Sequence, residues 1–358
     1  MENKDLALLT VLPKKLDQKH DGLYMKRLWQ GIPGIERTRK GRLYATFYSG
    51  GKGEGSENFV LLLKSDDNGL TWSDPLYVID PPDKVRAFDP CLWIDPLGRL
   101  WWFWSQSYTL YDGRAGVWAS VMENPDDDDA AWSTPIRICH GIMINKPTIL
   151  STGEWLFPCA VWKCRDSEFN RLEEERFSNV YISDDQGKNF RLQGRADVPD
   201  RAFDEHMIVE KKDGSLWMLV RTKYGIGESY SFDKGKTWTP GRDSGLGGPN
   251  SRFFIRRLQS GNLLLVNHLN FTGRSHLTAM LSEDDGMTWK YKITIDERSR
   301  VSYPDGVQAE DGTVYIIYDR ERYDAKEILM AVITEEDIRQ GRCVTEKARL
   351  KMIVNKMK

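Results

Sequence analysis

Long apolar runs are missing from the 358 residues, and no stretch approaches the roughly 20 residues of a membrane-spanning helix, so a helical membrane protein is excluded. Charge of one sign is missing too. The 51 Lys and Arg against 53 Asp and Glu leave a net charge of −2, and no basic stripe carries interleaved aromatics. Nucleic acid is therefore excluded as a partner. Cysteine is scarce and odd in number: of Cys91, Cys139, Cys159, Cys164 and Cys343, the first three lie in apolar strand-like runs and no pair has zinc-ligand spacing. They read as reduced core thiols, with no disulfide framework. The first residues, MENKDLALLTVLPKK, carry acids where a secretory leader needs basic residues, and Lys and Pro break their apolar stretch early. A soluble, cytoplasmic protein is expected.

Aromatic residues, by contrast, are plentiful: 13 Trp, 14 Tyr and 13 Phe, often in short runs such as LWWFW and VYIIY that suit sheets packed face to face. These runs belong to a repeat. Its clearest copy is AFDEHMIVEKKDGSLWMLVRT (202–222), a polar cluster, an apolar run, a turn at Asp213-Gly214 and a second apolar run. That order reads as a β-hairpin whose turn needs the positive φ that glycine supplies. Aligned on the turn glycine, the pattern recurs at Gly41, Gly98, Gly153, Gly214, Gly261 and Gly312, with spacings of 57, 55, 61, 47 and 51 residues. Such a period fits one four-stranded sheet per repeat and hence a β-propeller. Six sheets around one axis make a single domain, over residues 26–345. Residues 1–25 are expected as an amino-terminal arm or a ring-closing strand, and residues 346–358 as a strand or tail.

A second signature follows several hairpins. SDDNGLTW (65–72), SDDQGKNF (183–190), SFDKGKTW (231–238) and SEDDGMTW (282–289) all fit S-x-D-x-G-x-x-[WF]. Ser and Asp side chains bond the turn's own backbone, Gly takes the left-handed position, and the aromatic packs between sheets. The signature resembles the Asp-box, or bacterial neuraminidase repeat, of the sialidase superfamily. It is decayed in the second repeat (119–132) and in the sixth, TEEDIRQG (334–341). The resemblance implies an all-β fold, a six-bladed β-propeller of sialidase type.

In a propeller every innermost strand starts at the same end of the channel, so the residues opening each repeat converge in one basin. Those positions hold Gly31, Asp89, Asn145 with Lys146, Asp204 to His206, Asn250 to Arg252, and Tyr303 to Asp305. Convergent polar groups in a concavity are the default site. Asn145 and Asn250 also read as plain caps of strand starts. Strand alternation points His206 away from Glu205. RAFDP (86–90) and RAFDE (201–205) nearly repeat, and each Arg–Asp pair reads either as a structural ion pair or as part of a site.

The resemblance to sialidases extends to particular residues. FDEHMIVEKKDGSLWMLVR places Glu205 and Arg221 on a family motif in which Glu opens a repeat and Arg follows D-G-S-L; GRSHLTAMLSEDDGMTW places Arg274 on a further family arginine; and SYPDGVQAEDGTVYIIYDRE places Tyr303 on the family's nucleophile. The resemblance implies Tyr303 as nucleophile and Glu205 as its base, because an anionic sugar repels an attacking carboxylate. It implies Arg221 and Arg274 as a clamp on the substrate carboxylate. Two departures stand out. The family's first arginine opens an R-I-P motif, and Gly31 of WQGIPGI takes that place, leaving Arg27 or Arg37 as substitutes. The family's acid is an Asp in the first-blade loop, and SGGKGEGSEN offers only Glu54 and Glu57. The acid is then expected at Asp89, Glu54 or Glu57, Asp89 being the best placed rim carboxylate, with Arg252, His206, Lys146 and Asp305 as further substrate-binding candidates. The function expected is a sialidase-like exo-glycoside hydrolase for an acidic sugar on small glycans, with no cofactor and no metal. The alternatives are a glycosidase or lyase for a uronic or deoxy sugar using rim carboxylates, or a non-catalytic glycan-binding propeller.

Overall fold

Six antiparallel sheets follow one another along the chain, each laid down strand by strand from the centre of a ring outward. The computed structural model describes residues 3–17, 19, 21–162, 171–269 and 273–357. The inner strands are Trp29–Arg37, Val85–Ile94, Thr148–Ile149, Arg201–Glu210, Phe254–Arg257 and Val301–Gln308. Each pairs with the next strand across one of the six glycine turns, and those glycines have φ between 82° and 108°. The protein is a six-bladed β-propeller.

Closure at the seam is made by side chains rather than by a shared strand. Gln30 Nε2 donates to the carbonyl of Lys326 at 2.7 Å, and buried Arg27 reaches Asn355 Oδ1 at 2.6 Å. The outer strand of blade six is Arg349–Lys356, and EILMAVIT supplies its third strand, Glu327–Ile333. At the amino end, Asn3–Leu8 is a 3-10 turn whose Ala7 carbonyl accepts from Gln106 of blade two, and Lys14–Lys15 extends blade one. The arm therefore docks on blades one and two, and adds no strand to blade six. Nor is TEEDIRQG a worn turn. It forms a helix, Glu335–Gln340, with a Thr334–Asp337 capping box and Gly341 in the left-handed region. The polar insertion expected as a loop over 163–176 falls largely outside the described residues, as does Cys164; its end forms a short 3-10 turn, Glu173–Glu175.

All four S-x-D-x-G turns share one bonding scheme. In the first, Ser65 Oγ meets Asp67 Oδ1 at 2.8 Å and accepts from the Gly69 amide at 2.9 Å, while Asp67 accepts from the Thr71 amide and hydroxyl. The aromatic that ends the turn packs inward: Phe190 lies 5.1 Å from Phe157 and 6.4 Å from Trp101 of the preceding blade. This crowding makes the turn glycines unequal. A Cβ on Gly187 (φ +83°) would lie 2.6 Å from Trp101, whereas one on Gly214 (φ +82°) meets nothing within 4 Å. Gly214→Ala is expected to cost only the left-handed penalty, about 1–2 kcal/mol. Gly187→Ala should lose about 1–3 kcal/mol more through overpacking. Urea unfolding of the two variants checks this, and equal losses would show that Trp101 yields freely.

Candidate active site

Four inner strands break register near their starts. The shifts fall between Gly31 and Gly34, Phe88 and Cys91, Arg201 and Met207, and Ser302 and Asp305. Non-glycine residues at these bulges take positive φ: Ile32 (59°), Asp89 (47°), Phe203, Asp204 and Glu205 (65°, 53° and 40°), and Tyr303 (56°). Each such residue costs on the order of 1–3 kcal/mol, so the surrounding bonds must hold it there. They are visible. Asp204 accepts from Ser178 Oγ at 2.8 Å and Arg201 at 3.2 Å, Asn145 Nδ2 donates to the Glu205 carbonyl at 2.7 Å, and the Ile32 amide donates to Asp319 at 2.8 Å.

These bulges turn Glu205 and Tyr303 toward one point, where Arg221 of the next strand meets them. Tyr303 donates its hydroxyl to Glu205 Oε1 at 2.7 Å, and Arg221 Nη1 lies 2.8 Å from both oxygens. Burial pushes the Tyr303 phenol up to about 12; Arg221, Arg274 and Arg322 pull against that rise, and Glu205 adds to it. Asn250 fixes both neighbouring arginines, accepting Arg221 Nε on its side chain at 2.6 Å and Arg274 Nη2 on its carbonyl at 3.3 Å. Arg274 sits 5.4 Å from the centre of the Tyr303 ring. Asn145 and Asn250 thus tie one blade to the site of another, beyond capping a strand.

The twin motifs RAFDP and RAFDE diverge in three dimensions. Arg201 and Asp204 form the structural ion pair, whereas Arg86 bonds Asn58 at 3.2 Å and stacks 3.8 Å from the Phe88 ring. Among the described residues nothing bonds the Asp89 carboxyl. Burial pushes it up to about 8, with the charges of Glu205 and Glu54 adding and those of Arg86 and Arg322 opposing.

Other expected site residues lie elsewhere. The side chains of Lys146, Arg252 and Asp305 are buried among the inner strands. Lys146 donates to the Ile35 and Leu92 carbonyls and pairs with Glu36 and Asp305, while Arg252 donates to Asn145, Pro33 and Ile144. These contacts hold the inner strands together, while Asp305 Oδ1 is left with only the 3.6 Å approach of Arg252. His206 is buried as well and donates Nε2–H to the Asn179 carbonyl at 2.8 Å. Burial holds both His206 and His268 down at about 4, with Arg201 and Arg274 respectively contributing. Above pH 6.5 both are neutral folded or unfolded. Below it only the unfolded chain takes the protons, so stability is expected to fall as pH drops from about 6.5 to 4, by on the order of 2–3 kcal/mol per histidine. Urea midpoints across that range measure it, and a flat profile would contradict it.

Neither Arg27 nor Arg37 fills the place of the missing arginine. Arg27 is spent at the seam, and Arg37 lies 5.8 Å from the Tyr315 ring beside the turn of blade one. The residue that sequence reasoning missed is Arg322, whose guanidinium lies 4.3 Å from the Tyr303 ring centre. Glu54 faces the same region, accepting from Tyr48 at 2.9 Å, while Glu57 folds back on Gly51 of its own loop. A cavity of about 680 Å³ is lined among others by Arg274, Ser275, Ser302, Arg322 and Tyr323, and so by the two arginines that flank the Tyr303 ring, though not by Tyr303, Glu205, Arg221 or Asp89. On the other side an aromatic wall runs from Tyr111 through Trp162 to Phe203, which covers Arg221 at 4.9 Å. Among the described residues no cluster of His, Cys, Asp and Glu has the makings of a metal site.

With this geometry in place, comparisons with known proteins give a consistent result. Residues 41–316 match the family model described as a BNR repeat-like domain. A sialidase of Bacteroides fragilis (strain YCH46) is 24% identical over 336 residues, covering 80% of this chain and 59% of that protein. The chain thus spans less than two thirds of that relative. Among solved structures, the Hadza microbial sialidase Hz136 superposes with a TM-score of 0.68 at 20% identity, over 87% of this chain and 66% of the other. The intramolecular trans-sialidase of Ruminococcus gnavus gives 0.68 at 14% identity, over 89% and 97%. These likenesses establish a sialidase-type fold.

Proposed function

The chain belongs to the BNR repeat-like domain family of the sialidase superfamily, and on that premise we propose that it is a glycoside hydrolase acting on an acidic sugar in small glycans. The observation that carries the reading is the buried triangle of Tyr303, Glu205 and Arg221, with the unpartnered, buried carboxyl of Asp89 close enough to feel the charge of Glu205. A pure binder has no use for a phenol hydrogen-bonded to a carboxylate at the base of a basin. A phenol is a poor nucleophile until its proton is taken, and Glu205 is within reach to take it. Arg221 then stabilises the oxygen as charge develops.

In this reading Glu205 removes the phenolic proton as Tyr303 Oη attacks the anomeric carbon. The bond to the leaving oxygen breaks and Asp89 gives that oxygen its proton. Water then attacks the glycosyl–tyrosine bond, with Asp89 as base, and the phenolate recovers its proton from Glu205. Asp89 is suited to the acid step because its raised pKa keeps it protonated at neutral pH. Arg221 and Arg274 supply donors for the substrate's carboxylate.

The test is release of fluorophore from aryl sialosides, uronides and rhamnosides by the wild-type protein. Turnover of either acidic glycoside is expected, and turnover of the neutral rhamnoside alone would replace the acidic substrate with a deoxy sugar. Silence on all three would leave a glycan-binding propeller.

A further inference from the structure

We infer that Arg322 grips the substrate's carboxylate and that glycine at position 31 is what admits it. This rests on the reading above that the substrate is an anionic sugar. Arg322 belongs to the segment after the second strand of blade six, while Gly31 belongs to the inner strand of blade one. The two blades meet so closely that a Cβ on Gly31 would lie 2.6 Å from Arg322 Cδ, 2.8 Å from Nε and 2.9 Å from Cγ. These are atoms of the side chain's middle, which cannot swing aside while the guanidinium stays where it is. Gly31 has no positive φ, so its backbone does not demand glycine. The space it leaves is occupied by the arginine.

The guanidinium is held on one edge and open on the other. Its Nε donates to Asp319 Oδ2 at 2.8 Å, and Asp319 is itself fixed by the Ser302 hydroxyl at 2.6 Å and the Ile32 amide at 2.8 Å. Nη2 makes one long bond, 3.3 Å, to Ser302 Oγ, and Nη1 stands 3.7 Å from Glu54, beyond hydrogen-bond reach. Arg322 lines the cavity of about 680 Å³ that Arg274 also lines. Arg322 and Arg274 both flank the ring of Tyr303, and Arg221 touches its hydroxyl, so three guanidinium groups surround one phenol. An orienting carboxylate on Nε with an Nη edge held only by long contacts is an arrangement that can receive a planar oxyanion in two parallel bonds.

The experiment is calorimetric titration with two acid and ester pairs: a 2,3-dehydro sialic acid with its methyl ester, and methyl glucuronide with its methyl ester. The wild-type protein is expected to prefer at least one acid over its ester. Arg322→Gln should weaken binding of that acid roughly tenfold to a hundredfold and leave the ester unchanged. Arg322→Lys should fall between them, and serves as the check if the Gln variant folds poorly. Gly31→Ala should reproduce the Arg322→Gln loss, yet add nothing in the double variant, because the glycine acts only through the arginine. Unchanged acid affinity in Arg322→Gln, an equal Gly31→Ala loss in both backgrounds, or no acid preference in the wild type would each overturn the inference. Acid preference without turnover of any aryl glycoside would keep the inference and sink the hydrolase reading, whereas turnover of acidic glycosides unaffected by Arg322→Gln would do the reverse.

Discussion

Glu205→Gln is expected to lower kcat by roughly 10²–10⁴-fold on whichever aryl glycoside the wild-type protein cleaves, and Tyr303→Phe by at least as much. The glutamine keeps the shape of the side chain and still meets Arg221, but it cannot accept the phenolic proton. The phenylalanine keeps the ring that Arg274 and Arg322 flank and removes only the oxygen 2.7 Å from Glu205. Binding should therefore survive in both, with KM changing far less than kcat. Because the two residues act as one unit, the double variant should be little worse than Tyr303→Phe alone. A kcat within a few-fold of wild type in Tyr303→Phe would remove the phenol from the chemistry and return attention to rim carboxylates. The basicity of the pair matters for pH as well. A phenol pushed up to about 12 stays protonated through neutral pH, so the attacking form arises only as Glu205 accepts the proton.

The architecture was legible because its causes are local. Turn glycines at a steady period, alternating apolar runs and the S-x-D-x-G turns each need only a few neighbouring residues to do their work, and each left a mark in the sequence. Tyr303, Glu205 and Arg221 were legible for a different reason: family motifs tie the first two to inner-strand starts, which the propeller brings together, and Arg221 to the end of the strand paired with that of Glu205. The bulges were not. Nothing in FDEHM says that residues 203–205 all take positive φ, because that conformation is enforced from the neighbouring blade three, by Ser178 and Asn145. Strand alternation alone therefore turned His206 from Glu205 for an incomplete reason, and left open whether it met ligand.

Charge at a strand start was equally ambiguous. Asp89 and Asp305 open repeats in similar settings, yet one carboxyl has no bonded partner among the described residues while the other is spent on Ile35, Lys146 and Arg252. The difference lies in what crosses the channel, which sequence does not display. Arg322 escaped notice because it lies outside every strand, two residues past Val314–Arg320, where no family motif marks it. The signal that would have found it was the glycine itself, since a missing side chain at position 31 implies that something else fills the space.

Asp89→Asn is expected to lower kcat/KM roughly 10²–10⁴-fold on glycosides whose leaving group must be protonated, and far less on aryl glycosides that leave unassisted. The same substitution should make the protein more stable at pH 7. The sign follows from the carboxyl's pKa, pushed by burial up to about 8 in the folded protein against about 4 in an unfolded chain. Between those values the folded state holds a proton that the unfolded state has released, so stability falls as pH rises through the window. By pH 7 the deficit is about 4 kcal/mol. Asparagine carries no such deficit, being neutral at every pH and close in shape. A group that destabilises the fold where it is needed as an acid is what a stability–activity trade-off looks like at one residue. Wild-type activity on poor leaving groups should fall as pH passes about 8, and that alkaline limb should vanish in the variant. Melting curves from pH 5 to 8 separate the outcomes. If Asp89→Asn gains nothing over wild type as pH rises, then Asp89 is an ordinary ionised carboxylate, and the acid of this site must be sought at Glu54.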